Sequence, residues 1–196
     1  MAQCVIIYII LIGGRAMTIL LFGVSNVGKS VTGKLLAQRL GYAFYDLDEE
    51  IKKYHNTTLE SFVSTGTLRE RDKMRCDLIN SLVSRKGNKV IAITPLSYIQ
   101  TIRPLLSSKD IFCIELIDSP ENIFDRLVFS DENDIIYKDD EYKNEHRDHY
   151  LSEIKEDIEW YGSVYTDIKY HFHISGRQTE DVVDALIIEY NLVSEV

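Results

Sequence analysis

Apolar residues follow two alternating rhythms along the chain. Ile19 to Gly23 is a short apolar run ending in glycine, and Ala43 to Tyr45 reads as a strand that ends in acids. Val90 to Ile93 and Ile111 to Ile117 are continuous apolar runs of the kind strands show when both faces are covered. Between them the spacing changes to three and four. Lys29 to Leu40 places Val31, Leu35, Leu36 and Leu40 on one stripe and stops at Gly41. Thr57 opens T-x-x-E through Glu60, a capping-box pattern for a short helix, and a longer helix covers Leu68 to Ser84. Ser119 and Pro120 suit the N-cap and first turn of a helix running through Phe129. Leu151, Ile154, Ile158, Tyr161, Tyr165 and Ile168 give one more helix an apolar face. His171 to Ile174 reads as a last strand and Val182 to Tyr190 as a last helix. Repeated β-α units predict an α/β fold, a parallel sheet sandwiched by helices with ligands at the carboxyl ends of its strands. Residues 130 to 146, SDENDIIYKDDEYKNEH, break the rhythm and are polar and acid-rich.

Composition narrows the function. The 196 residues are 45% hydrophobic, 27% charged and 10% aromatic, enough for a core without metals or disulfides. A formal net charge of −9 argues against a nucleic-acid partner, which needs a basic face, but leaves room for a small anion at a few placed cations. Cys4, Cys76 and Cys113 stand singly with no C-x-x-C spacing, which fits a reducing cytoplasm and neither a disulfide framework nor a zinc site. His171 and His173 share a strand face, and no acid or cysteine is expected to join them, which reads as a structural or surface pair.

Cys4 to Ile12 is a nine-residue apolar run, too short to span a bilayer as a helix, with no basic stretch before it. No membrane role is expected. Residues 1 to 16 read as an extension ahead of a start at Met17, or as an extra edge strand. Residues 17 to 196 then form a single domain, expected as a monomer or weak dimer, with no second domain, repeat or linker.

Gly23-Val24-Ser25-Asn26-Val27-Gly28-Lys29-Ser30 fits G-x-x-x-x-G-K-[ST] in full, after an apolar strand and at the start of an amphipathic helix. Glycines at these positions let successive backbone N–H groups turn toward phosphate oxygens at a helix N-terminus. Lys29 then reaches the β- and γ-phosphates of ATP, Ser30 ligates Mg2+, and Val31 follows in the first helical turn. Asp46 and Asp48 emerge one strand later, at the same sheet edge. One acid suits the hydration shell of magnesium and the other the proton of an attacking hydroxyl, although either can also cap the next helix.

These residues resemble the shikimate kinases, P-loop small-molecule kinases. That family runs GKST-x-x-G-x-x-LA-x-x-L-G, then F-x-D-[TS]-D-x-x-I, then G-(x)4-R; this chain reads GKSVTGKLLAQRLG, FYDLDEEI and Gly66-Thr67-Leu68-Arg69-Glu70-Arg71. The likeness is close from Thr18 to about Arg71 and looser beyond. It implies a P-loop kinase-like three-layer sandwich with a five-stranded parallel sheet and a mobile lid over about 130 to 146. It further implies Asp46 near magnesium and Asp48 on the substrate hydroxyl. Arg71 and Arg147, the latter in R-x-x-Y with Tyr150, are implied as the two arginines on a substrate carboxylate, and Arg126 as the residue against adenine. A solvated helix charge is the plainer alternative for either clamp arginine.

The chain also departs from the family. Where the family has a glycine triplet after its third strand, Ile93-Thr94-Pro95-Leu96 stands here, removing a donor and adding bulk. Asn133 occupies the place of a lid arginine seven residues after Arg126, with Lys138 and Lys143 as candidate replacements among eight acids between 131 and 148. The expected activity is ATP-dependent phosphorylation of a hydroxyl on a small carboxylate-bearing metabolite, shikimate first and a sugar acid second. A non-catalytic nucleotide-binding module is the alternative from another class; a nucleoside monophosphate kinase is disfavoured by the acidic lid.

Overall fold

The computed structural model describes residues 17–192, so the readings of Cys4 to Ile12 and of residues 1 to 16 lie outside the described residues. Five strands build one parallel sheet: β1 (Thr18–Phe22), β2 (Ala43–Asp46), β3 (Lys89–Ala92), β4 (Ile111–Ile117) and β7 (Tyr170–His173), in the order β2-β3-β1-β4-β7. β1 is central, with Leu20 beside Ile91 on one flank and Cys113 on the other. Its side chains alternate. Leu20 and Phe22 enter one core with Ile79, Leu82 and Ile91, whereas Ile19 and Leu21 enter the opposite core with Leu36, Val90 and Phe172.

Helix α1 (Lys29–Leu40) and helix α9 (Thr179–Glu189) cover the second face. A Cβ on Gly33 would sit 2.8 Å from the Phe44 ring, so glycine lets α1 lie close on the sheet. The first face is covered by α2 (Leu47–His55), α3 (Leu59–Val63), α4 (Leu68–Ser84) and α5 (Arg103–Leu106). Helix α8 (Arg147–Val164) feeds both cores, through Ile154 and Ile158 on one side and Val164 on the other. The three-layer α/β architecture expected from the pattern is the one observed.

Several boundaries differ. The short helix starts at Thr58, not Thr57: the Thr58 side chain accepts from Ser61 N, and the full capping box is Thr67 with Glu70 on α4. The helix after Pro120 does not reach Phe129. α6 (Pro120–Asp125) stops where Arg126 turns toward the phosphate loop, and Phe129 begins a hairpin, β5 (Phe129–Ser130) with β6 (Ile136–Tyr137). Helix α8 begins at Arg147 and ends at Val164, so Tyr165 and Ile168 pack from the connection beyond it, where Tyr165 still buries its ring against Phe22. Residues 130–146 also hold α7 (Asp140–Glu145), whose Lys143 is buried over the Phe124 ring.

Candidate active site

Four strand ends deliver the site. Beyond β1, Gly23 turns with φ of 134° at a point where a Cβ would meet the Leu116 carbonyl oxygen at 2.5 Å, so the loop can start only on glycine. Gly28 closes it as the N-cap of α1, also at positive φ, and no side chain caps the first amides of that helix. Those amides and the helix dipole form a ready anion cradle. Ser25, Asn26, Gly28 and Val31 line the cleft above it, while Val27 is buried beneath.

Lys29 bends back to donate to the carbonyls of Gly23 at 2.9 Å and Val24 at 2.6 Å. Burial depresses its pKa to about 8, against the upward pull of Asp48, Asp46 and Asp157. A buried ammonium held by two carbonyls has an uncompensated desolvation cost that an incoming phosphate would relieve.

Asp46 caps the helix that follows it and also reaches the phosphate loop. One oxygen caps α2 by accepting from Asp48 N at 3.0 Å, and the other accepts from Ser30 Oγ at 2.5 Å. The Ser30–Asp46 pair is thus two hard oxygens side by side at the phosphate loop, a donor set that fits magnesium, with waters and phosphates for the rest of its shell. Asp48 is half-buried and accepts a short hydrogen bond from Thr94 Oγ1. Burial raises its pKa and Asp46 adds to the rise, whereas the Thr94 bond, Arg75 and Lys29 oppose it.

Ser25, Asn26, Gly28, Lys29, Ser30, Val31, Asp46, Asp48 and Arg126 all line one cleft of about 950 Å³. Arg126 donates to Asn26 O at 3.3 Å and to Asp118 at 2.6 Å, linking the phosphate loop to the end of β4.

The two expected carboxylate arginines are not brought together. Arg71 donates to the carbonyls of Thr65 and Gly66 at the start of α4, and Arg147 lies 4.5 Å over the Phe124 ring. Neither lines the cleft. Helix α8 instead turns Asp157 toward Lys29; burial and the neighbouring Glu153 and Glu156 raise its pKa.

Three amides of the loop that replaces the glycine triplet are bonded to side chains. Leu96 N donates to Tyr165 Oη at 2.9 Å, and Ser97 N and Tyr98 N both donate to Asp72 at 2.9 and 3.0 Å. Asp72 in turn holds Arg75 at 3.1 Å. Sequence reasoning missed Asp157, Asp72 and Arg75; a D-x-x-R spacing on α4 was the available signal for the last two. Among the described residues there is no metal-type cluster of His, Cys, Asp or Glu, and no helix is long and apolar enough to cross a membrane. An acid does join the histidine pair, contrary to expectation: parallel pairing of β4 with β7 sets Glu115 beside His171, at 2.8 Å, and Cys76 and Cys113 are buried free thiols.

A glycine-turned phosphate loop with its lysine, a serine–aspartate pair and a second aspartate at one sheet edge define a P-loop small-molecule kinase that uses ATP. The family model described as shikimate kinase matches residues 25–190, and the chain belongs to that family. The shikimate kinase of Thermodesulfovibrio yellowstonii is 29% identical over 90% of this chain and 96% of its own length. Among solved structures, shikimate kinase from Bacteroides thetaiotaomicron superposes with a TM-score of 0.73 at 21% identity, covering 90% of this chain and 99% of that one. A gluconokinase from Sinorhizobium meliloti 1021 shares the fold with a TM-score of 0.52 at 16% identity, over 87% of this chain and 90% of that one.

Proposed function

We propose that the protein transfers the γ-phosphoryl group of ATP to a hydroxyl of a small carboxylate-bearing metabolite, with shikimate as the leading acceptor. The carrying observation is that Lys29, the Ser30–Asp46 pair and the Thr94-bonded Asp48 meet in one cleft. Ser30 and Asp46 are the residues that would hold magnesium, which when bound neutralises charge on the phosphates. Lys29 and the first amides of α1 hold the β- and γ-phosphates. Asp48 orients the acceptor hydroxyl and takes its proton as the phosphoryl group leaves ATP, a role its raised pKa suits. Residues 130–146 act as the lid, with Lys138 turned to the cleft.

A second hydroxy acid, of the sugar-acid class, is favoured by one observation. The amides of Leu96, Ser97 and Tyr98 are all bonded to side chains, so this wall offers an acceptor fewer backbone donors than a run of glycines would. A coupled ATP assay against shikimate, gluconate and nucleoside monophosphates tests both readings. Magnesium-dependent turnover of a hydroxy acid is expected. Tight nucleotide binding with no acceptor turned over would leave a nucleotide-binding module in its place.

A further inference from the structure

One residue of the phosphate loop sits where side chains are seldom found. Asn26 has a φ of 58°, in the left-handed region, which asparagine tolerates better than most residues but does not prefer. A left-handed residue in a turn swings the neighbouring amides to one side, the geometry of an anion nest. The carbonyl of Asn26 is met from outside the loop, where Arg126 Nε donates to it at 3.3 Å. Arg126 follows α6 directly and its side chain is 32% exposed, so a free arginine there would sample many rotamers.

Asp118 selects one of them. Its Oδ2 accepts from Arg126 Nη2 at 2.6 Å, so the guanidinium spans the carboxylate and the loop carbonyl. Asp118 is itself fixed. It stands one residue beyond β4, 8% exposed, and its Oδ1 accepts from Ser119 N at 2.9 Å, Asn122 Nδ2 at 2.8 Å and Gly176 N at 3.3 Å. Burial pushes its pKa up, but the bonds from Asn122, Arg126 and Ser119 outweigh it and leave the carboxyl below its ordinary range. The two oxygens thus divide their work. Oδ1 holds the turn after β4 to the loop after β7, and Oδ2 serves Arg126.

We propose that Asp118 is a positioning residue for the nucleotide phosphates: through Arg126 it holds Asn26 in the left-handed conformation that turns the phosphate-loop amides toward the anion. The rigid end of β4 thereby sets the shape of a loop that it does not belong to. The inference concerns the nucleotide half of the site and holds whichever hydroxy acid is the acceptor.

The test compares the dissociation constants of ATP and of inorganic triphosphate, each with magnesium, so no acceptor is needed. Asp118→Asn keeps an oxygen for the Ser119 and Gly176 amides and removes the one that pairs with Arg126. It should weaken ATP and triphosphate by the same factor, roughly three- to tenfold, the worth of one hydrogen bond. Arg126→Lys should do the same, because a single ammonium cannot span Asp118 and the Asn26 carbonyl as the guanidinium fork does. That variant leaves Asp118 in place and decides the matter if Asp118→Asn fails to fold. Adding Asp118→Asn to Arg126→Lys should bring no further loss, since both act through one contact. Unchanged triphosphate affinity in a folded variant overturns the relay, and so does a loss confined to ATP, which would put Arg126 at the nucleobase alone. A full second loss in the double variant would show Asp118 acting on the loop by another route, and would overturn it as well.

Discussion

Replacing Lys29 with methionine isolates the electrostatics of the phosphate loop. The ammonium is buried, meets two backbone carbonyls, and has its pKa pressed from 10.5 to about 8. Depression makes the folded state the weaker proton binder. Below pH 8 both states carry the proton, and the folded one bears the whole desolvation cost. As pH rises from 8 toward 10.5 the folded state sheds its proton first, and the cost is relieved. At roughly 1.4 kcal/mol per pKa unit, the parent should gain on the order of 2–3 kcal/mol on Lys29→Met between pH 7 and pH 10. The two carbonyls orphaned by methionine add an offset, but that offset does not titrate, so the slope is the readout. Urea unfolding of both proteins across this range should show the midpoint difference moving by roughly 1–2 M in favour of the parent. Phosphoryl transfer should be lost in the variant at every pH. A difference that stays flat with pH would mean that Lys29 titrates as an exposed lysine, and the argument for a desolvated ammonium poised for phosphate would fail.

Two further outcomes follow from single contacts. Asp48→Asn should lower kcat by roughly 10²–10⁴. Because the raised pKa of Asp48 makes its charged form the strained one, the same variant should be more stable than the parent at pH 7 and equal to it below about pH 3.9, where both folded and unfolded Asp48 are protonated; thermal melts at the two pH values check this, and a variant that is less stable at pH 7 refutes it. Asp134, at the tip of the β5–β6 hairpin, accepts from Leu59 N with both oxygens at 3.1 and 2.9 Å and lies 3.8 Å from Lys52. Asp134→Ala should free the proposed lid, speeding hydrogen exchange at Leu59 and raising KM for ATP by about three- to tenfold; unchanged exchange at Leu59 would show that this contact does not hold the hairpin down.

The parts of the fold legible in the sequence are those that a backbone requirement enforces. The phosphate loop could be read because Gly23 meets the Leu116 carbonyl and Gly28 takes a positive φ, so no other residue type suits either place. Helices α1 and α4 match the spans expected for them; a glycine stop marks the end of one, whereas the threonine cap of the other, Thr67, is not among the caps expected from the sequence. Periodicity overran where tertiary packing borrowed its rhythm. Tyr165 and Ile168 continue the apolar spacing of α8 but pack from an irregular segment, and Phe129 extends the pattern of α6 while belonging to a hairpin. The site divides the same way. Asp46 and Asp48 sit at a strand end, where sequence order and spatial order coincide. Asp157 and Arg75 come near Lys29 and Asp48 through the rotation of two long helices; the D-x-x-R spacing was a local signal for Arg75, and none distinguishes Asp157 from the charged residues on either side.

Charge counting along residues 131 to 148 misleads for a related reason. Eight acids there read as a poor roof for a triphosphate. Several of them are spent on backbone amides or a neighbouring ammonium. Asp131 accepts from Asn133 N and Ile135 N to close the hairpin turn, Asp134 holds Leu59 N, Asp139 caps α7 through Tyr142 N, and Asp140 pairs with Lys143. The cations of the cleft are engaged as well: Lys52 with Glu49, Arg126 with Asp118, Lys143 with Asp140. Lys138 lines the cleft and makes no ion pair among the described residues. A carboxylate already holding amide protons repels an incoming phosphate less than a bare one, and a lysine with no carboxylate to leave gives up nothing to meet it. Of the segment's charged residues that line the cleft, Asp134, Asp140 and Lys143 are engaged and Lys138 is the cation left to meet a phosphate.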